Sequence, residues 1–185
     1  MVTMPDKPLL TFDLDGVLCR PPFEINPGPG RGKRRDAPGK RGLLWRTEAW
    51  RYRGRKPMPG AVAGFRLLGK AFRCEILTAR SEVARTLTER WLKRHFGEVP
   101  VVHMRPGWQE TSAQYKARKV QELSPVAHFE DDPHTAEWLA ELIPDVFLVD
   151  WPRNRWLDLP NVHRVSVLDD AIPVLNRCEA GAEGH

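Results

Sequence analysis

Leu9-Leu10-Thr11-Phe12-Asp13-Leu14-Asp15-Gly16 is the stretch on which the fold turns. A short apolar run with strand character passes directly into an Asp-x-Asp-Gly sequence. The pattern downstream of Ala61 then alternates. Residues 61–70 read as a helix and Cys74–Leu77 as a strand, with Thr78-Ala79-Arg80 as its exit. Ser81 is placed to cap a helix reaching about His95, with Glu82 in its first turn. Val99–Met104 follows as a strand, and Thr111 or Ser112 caps a helix to about Leu123. Val126–Phe129 and Val146–Val149 are strands on either side of a helix over His134–Leu142. A short sixth strand over Val162–Val165 and a closing helix over Leu168–Arg177 complete the pattern. Strands alternating with ten-to-fifteen-residue helices predict an α/β protein with a parallel sheet of about five strands, covered on both faces.

The first strand and the rest of that sheet are separated by residues 19–59, which are rich in Pro, Gly and Arg and carry no sustained period. The expected organisation is therefore a core of 1–18 and 60–185 with a small insertion at 19–59. Charge marks the insertion as well. Residues 20–56 hold twelve Lys/Arg against three Asp/Glu, whereas the whole 185-residue chain has a net charge of +5. A basic segment is thus set into a mildly acidic domain, which suits an electropositive cover for an anionic ligand as well as a plain solvated loop. No apolar run approaches the ~20 residues of a membrane helix, and the N-terminus has no secretory pattern. Three isolated cysteines, Cys19, Cys74 and Cys178, form no CxxC pair. The expectation is a cytoplasmic chain with reduced thiols, no membrane contact and no zinc knuckle.

In a parallel sheet, ligands bind beyond the carboxyl ends of the strands, so the residues found there are the informative ones. The first strand ends in Asp13-Leu14-Asp15-Gly16, the second in Thr78-Ala79-Arg80 and the fourth in Glu130-Asp131-Asp132, with Lys116 and Lys119 on the helix before it. Crowded carboxylates repel unless a cation or proton intervenes, and a set of hard oxygens without a His/Cys cluster suits Mg²⁺. Asp13 and Asp15 share a face if the chain leaves the strand smoothly, and Gly16 permits a sharp turn away. A neutralised site with a nearby ammonium can hold a phosphoryl group, one aspartate attacking phosphorus while the other shuttles the proton. Taken singly, each motif reads equally well as a turn or a capped helix start; their order and their places at strand ends set them apart.

Phe12-Asp13-Leu14-Asp15-Gly16-Val17-Leu18, Leu77-Thr78-Ala79-Arg80, a lysine at 116 and Phe129-Glu130-Asp131-Asp132-Pro133 together resemble the four motifs of the haloacid dehalogenase-like phosphohydrolases. The resemblance covers roughly residues 8–150. It implies a Rossmann-like sheet and aspartyl-phosphate chemistry with Mg²⁺. By that likeness Asp13 is the nucleophile and Asp15 the general acid/base, with the carbonyl of Asp15 also on the metal. Thr78, with Ala79 and Arg80, binds the phosphoryl oxygens, a lysine steadies the charge, and Asp131 or Asp132 completes the metal site. The run Glu130-Asp131-Asp132-Pro133-His134-Thr135-Ala136 is similar to deoxyribonucleotidase-like members, which favours Asp131. Lys116, fifteen residues before Asp131, leaves more room for a helix and turn than Lys119. An Asp two residues after the nucleophile resembles the phosphatase branch, and an insertion between the first two motifs resembles a cap.

Gly64–Lys70 has P-loop spacing but a bulky interior, no preceding strand and no Ser/Thr after the lysine, so it reads as helix. His128 and His134 flank the acidic motif without ligand spacing, and Trp91 and Trp138 read as core. Trp45, Trp50 and Tyr52 interleave with Arg46, Arg51 and Arg53, a pattern that serves either as an apolar anchor or as base stacking with phosphate contacts. The functional expectation is a Mg²⁺-dependent phosphomonoesterase acting on a nucleotide-like or other small phosphorylated substrate. The alternatives are a polynucleotide end phosphatase and a non-catalytic nucleic-acid-binding module. The intact Asp13/Asp15 pair argues against the last.

Overall fold

The computed structural model describes residues 7–21, 52–107 and 109–182, with 178–182 as backbone alone. In chain order the elements are β1 (Leu9–Phe12), α1 (Ala61–Leu68), β2 (Arg73–Ser81), α2 (Arg85–Phe96), β3 (Val102–Arg105), α3 (Ser112–Leu123), β4 (Ala127–Glu130), α4 (Pro133–Ala140), β5 (Asp145–Val149), β6 (Val162–Val165) and α5 (Ile172–Ala182). The six strands form one sheet in the order β3-β2-β1-β4-β5-β6, and every neighbouring pair is parallel. The chain runs outward from β1 to β3, then returns to the other side of β1 to lay down β4. That reversal opens a crevice above the carboxyl ends of β1 and β4.

Alternating side chains send the two faces of the sheet into separate cores. Leu10, Phe12, Phe129 and Phe147 pack with Phe65, Leu68, Trp91, Leu92 and Leu175, which belong to α1, α2 and α5. Leu77, Val146 and Leu148 pack with Tyr115 and Val120 of α3 and Ala136 and Leu139 of α4. Phe12 stacks on Phe129 at 4.5 Å and Phe129 on Phe147 at 4.8 Å, so the three central strands are locked by aromatic contact just below the crevice. Two helix starts follow directly from their local sequence. Thr111 and Gln114 form a reciprocal capping box for α3, and Asp132 caps α4 with Pro133 in its first turn.

Several boundaries differ from the sequence reading. The exit expected at Thr78–Arg80 is still strand: β2 runs on to Ser81, which pairs with Arg105 after a register shift beyond Thr78. Ser81 then accepts from the Val83 amide and opens a 3₁₀ turn (Glu82–Ala84) before α2. β3 begins only at Val102, because Pro100 supplies no amide donor to the ladder. The closing helix divides into a 3₁₀ turn (Leu168–Ala171) and α5, whose early Pro173 is tolerated only near a helix start. The sixth strand is present, and the P-loop-like spacing lies mostly in α1.

The two ends of the insertion meet. Arg20 N donates to Lys56 O at 2.9 Å and Met58 N to Leu18 O at 2.9 Å, with Cys19 bridged to Pro57. The segment therefore leaves and re-enters the core through a paired neck. Residues 22–51, including Trp45, Arg46, Trp50 and Arg51, lie outside the described residues. Among the described residues no helix is long and apolar enough to cross a membrane.

Candidate active site

β1 delivers Asp13 directly into the crevice, where its amide donates to Phe129 O at 2.8 Å and its carboxylate is nearly buried. The capping box of α3 sets the phase of that helix, and Lys116 emerges from it toward the strand ends. Lys116 Nζ lies 2.8 Å from Asp13 Oδ1 and 2.7 Å from Glu130 Oε2, itself only 2% exposed. Lys119 instead pairs with Glu122 on the outer side of the helix. Of the two lysines considered from sequence, Lys116 stands at the crevice.

Glu130 ends β4 and is saturated. Its Oε1 accepts from the Asp131 and Asp132 amides at 3.0 and 3.1 Å, and its Oε2 takes Lys116 and His128. A carboxylate has about four acceptor positions, and all are filled. Asp13, Glu130 and Asp131 bring carboxylate oxygens within 4.8 Å of one another. Asp132, considered from sequence as a metal ligand, lies outside that group: its Oδ2 accepts from the Thr135 amide and hydroxyl at the start of α4. Asp131 is fixed from a turn after β5. Arg153 Nη2 donates to Asp131 Oδ2 at 2.7 Å, and Asn154 Nδ2 donates to Asp131 O at 3.1 Å. Trp151 Nε1 donates to Gly16 O at 3.3 Å, tying the same turn to the loop after β1. Gly16 sits at φ +87°, and a Cβ there would fall 2.2 Å from Asp131 Oδ2, so the two motif loops meet backbone against carboxylate.

Asp15 has partners of its own. β1 ends at Phe12 and the chain turns, with Leu18 N and Cys19 N both bonded to Leu14 O, so each aspartate finds its own cation. Arg80 grips Asp15 bidentately, Nε to Oδ2 and Nη2 to Oδ1 at 2.7 Å each, and Arg55 adds a third contact. Arg80, expected from sequence among the substrate-binding residues, is buried and occupied by Asp15, Thr88 and Cys19. It orients Asp15. Thr78 is buried at the crevice, where its Oγ1 accepts from the Arg80 amide at 3.3 Å; Ala79 between them is half-buried. Tyr52 lies under Arg80, whose guanidinium is 4.0 Å from the ring centroid, and packs with Ala84 and Met104. Of the two roles open to Tyr52 from sequence, its buried ring fits the apolar anchor. Arg53 is exposed.

Arg55, Arg153 and Asn154 were not anticipated. The Trp-Pro-Arg-Asn run begins one residue beyond β5, after Asp150, so the strand-end rule that found the other motifs applied to it too. Arg55 carried no such mark.

Charge explains the arrangement. Five carboxylates (Asp13, Asp15, Glu130, Asp131, Asp132) face four cations (Arg55, Arg80, Lys116, Arg153). Burial, together with the neighbouring Glu130, Asp131 and Asp15, pushes the Asp13 carboxyl well above the usual range despite Lys116. Burial opposes ionisation of Glu130 as well, but Lys116 and His128 outweigh it and hold that carboxyl low. Burial would raise Asp15 too, yet Arg80 and Arg55 hold it below the ordinary value. The residues fit a hard divalent cation: oxygen donors only, one carboxylate in excess, and an Asp13 that another positive charge would return to its ionised form. With Glu130 saturated, Asp13 and Asp131 are the carboxylates suited to hold it.

No known family profile matches the chain, and no curated protein does. Solved structures do match. D,D-heptose 1,7-bisphosphate phosphatase from B. bronchiseptica, complexed with magnesium and phosphate, superposes with a TM-score of 0.55 at 16% identity over 92% of this chain and 99% of that one. A haloacid dehalogenase-like family hydrolase from Streptococcus pneumoniae gives 0.57 at 15% identity over 93% and 100%. A chain of the Pnkp1/Rnl/Hen1 RNA repair complex gives 0.58 at 16% identity over 82% of this chain but only 45% of its own length. At these identities the likeness is one of fold alone: the chain shares the parallel α/β fold of these three structures.

Proposed function

We propose that the protein is a Mg²⁺-dependent phosphomonoesterase working through a phosphoryl group carried on Asp13, with a nucleotide-like or other small phosphorylated substrate. The observation that carries this reading is Lys116 Nζ shared at 2.8 and 2.7 Å between Asp13 and Glu130, beside the Asp131 carboxylate. Asp13 Oδ forms a bond to phosphorus as the ester oxygen leaves, and Asp15 gives that oxygen its proton. Water then attacks phosphorus, Asp15 takes back a proton, and phosphate departs with Asp13 restored. The Arg80 and Arg55 contacts favour the Asp15 carboxylate, the form suited to the second, water-activating half. Lys116 and the Thr78 hydroxyl meet the phosphoryl charge. Asp13 and Asp131, with the Asp15 carbonyl, would hold the cation, whose positive charge would let a carboxylate approach a phosphoryl dianion. The neighbour with magnesium and phosphate supports this choice of ion.

The test is hydrolysis of p-nitrophenyl phosphate, mononucleotides and 3′- and 5′-phosphorylated oligonucleotides, with Mg²⁺ and with excess EDTA. Activity that requires Mg²⁺ is expected. Full activity in EDTA, or none on any ester with Mg²⁺, overturns the proposal.

A second reading, a polynucleotide end phosphatase, is supported by the basic insertion and by the similarity to the RNA repair complex. Neutralising Arg46, Arg51 and Arg53 together would then weaken oligonucleotide binding far more than small-ester hydrolysis. Each lost phosphate contact would reduce the log–log salt slope by about 0.7 for a single strand. Absent or unchanged oligonucleotide binding would leave the insertion as a small-substrate cap or a plain solvated loop.

A further inference from the structure

Thr11 and His128 face each other across β1 and β4, and neither exposes any surface. Their strand neighbours Leu10, Phe12, Ala127 and Phe129 are all apolar core. A hydroxyl and an imidazole set into the centre of a sheet cost stability unless each polar atom is satisfied, and these two side chains meet each other and, through His128, the site. Thr11 Oγ1 lies 2.8 Å from His128 Nδ1, and His128 Nε2 lies 3.3 Å from Glu130 Oε2. Lys116 Nζ bonds the same Glu130 oxygen at 2.7 Å and reaches Asp13 at 2.8 Å. The direction of the chain follows. The Glu130 carboxylate accepts, so Nε2 carries the hydrogen. Nδ1 therefore accepts, and the Thr11 hydroxyl donates. Residues i and i+2 share a sheet face, so His128 and Glu130 lie on one face of β4, where His128 meets Thr11, and Lys116 joins that Glu130 to Asp13, the residue after β1.

We propose that Thr11 and His128 are positioning residues: they pin Glu130 Oε2 so that Lys116 stays shared between Glu130 and the Asp13 nucleophile. Without the imidazole donor, Lys116 becomes the main partner of that oxygen and is drawn away from Asp13. The catalytic half of this inference rests on the phosphatase reading; the geometric half does not.

The test pairs a spectroscopic measurement with kinetics on the full chain. Long-range ¹H–¹⁵N correlation at neutral pH is expected to show His128 as the neutral Nε2–H tautomer, shifted or mixed in Thr11→Val and restored in Thr11→Ser. An Nδ1–H tautomer in the wild type overturns the proposal. With Mg²⁺ and a small phosphate ester, His128→Leu is expected to lower kcat roughly 10- to 100-fold with KM little changed. His128→Gln, whose amide donor stands in for Nε2–H, is expected to recover most of that loss at a similar unfolding midpoint. Thr11→Val tests the same chain with an almost isosteric side chain. Folded His128→Leu and Thr11→Val proteins with wild-type kcat overturn the inference. A wild type inactive on every ester would instead overturn the phosphatase reading, and the tautomer alone would then decide the positioning role.

Discussion

Gly16→Ala is the substitution whose consequence the structure defines most sharply. The residue sits at φ +87°, where a side chain costs about 1–3 kcal/mol in backbone strain. The new Cβ would also lie 2.2 Å from Asp131 Oδ2 and 2.5 Å from its Cγ, so the carboxylate must retreat by roughly 1 Å to reach ordinary contact. That movement disrupts the 2.7 Å bond from Arg153, a charge-assisted contact worth about 1.5–3 kcal/mol. The combined loss is about 3–5 kcal/mol, or roughly 10 °C in Tm for a domain of this size. Gly54→Ala is the matched control, because Gly54 is at φ +69° with nothing within 4 Å of its Cβ position. Urea unfolding should place Gly16→Ala about 2 kcal/mol or more below Gly54→Ala, the steric share alone. Thermal unfolding in rising Mg²⁺ should stabilise the wild type and Gly54→Ala by mass action but not Gly16→Ala, whose Asp131 is displaced. Equal stability and equal Mg²⁺ response in the two variants would refute the close approach of Gly16 to the acidic motif.

Two further substitutions separate the lysines of α3. Lys116→Met leaves two buried carboxylates without their shared cation and should cost about 3–5 kcal/mol along with turnover, whereas Lys119→Met should stay within about 0.5 kcal/mol of wild type. Burial pushes the Cys74 thiol up to about 12 and the Cys19 thiol up to about 11, so both are protonated at pH 8. Peptide mapping after brief iodoacetamide treatment of the folded protein should find both alkylated at least about 100-fold more slowly than in urea. Rapid labelling at either would mean that its surroundings are more open than the packing indicates.

The sheet and its order of elements were legible because period and punctuation are local. Thr111 and Asp132 lie where the helices begin, and the apolar runs at 9–12, 126–129 and 146–149 match the observed strands to within a residue. The catalytic side was legible in part, since residues at successive strand ends converge whenever the strands are parallel. What eluded the sequence were choices made by tertiary contact. Asp13 and Asp15 take different cations, Lys116 for the first and Arg80 for the second. Glu130 looks like a ligand in sequence, yet two backbone amides, a lysine and a histidine fill its oxygens. Tyr52 reads either as an apolar anchor or as a stacking ring among arginines, and its contact with Arg80, over a ring packed on Ala84 and Met104, decides for the anchor. Arg55 reaches Asp15 because the paired neck at Leu18–Arg20 and Lys56–Met58 folds the far end of the insertion back onto the site.

The central claim is that Asp13 attacks phosphorus. Its most direct test is kcat/KM for a phosphate monoester with saturating Mg²⁺, compared between wild type and Asp13→Asn, with unfolding curves to show that both are folded. The amide cannot form an acyl phosphate, so turnover should fall by about 10⁴-fold or more while the fold persists. A folded Asp13→Asn protein that hydrolyses the ester within about tenfold of the wild-type rate would contradict it.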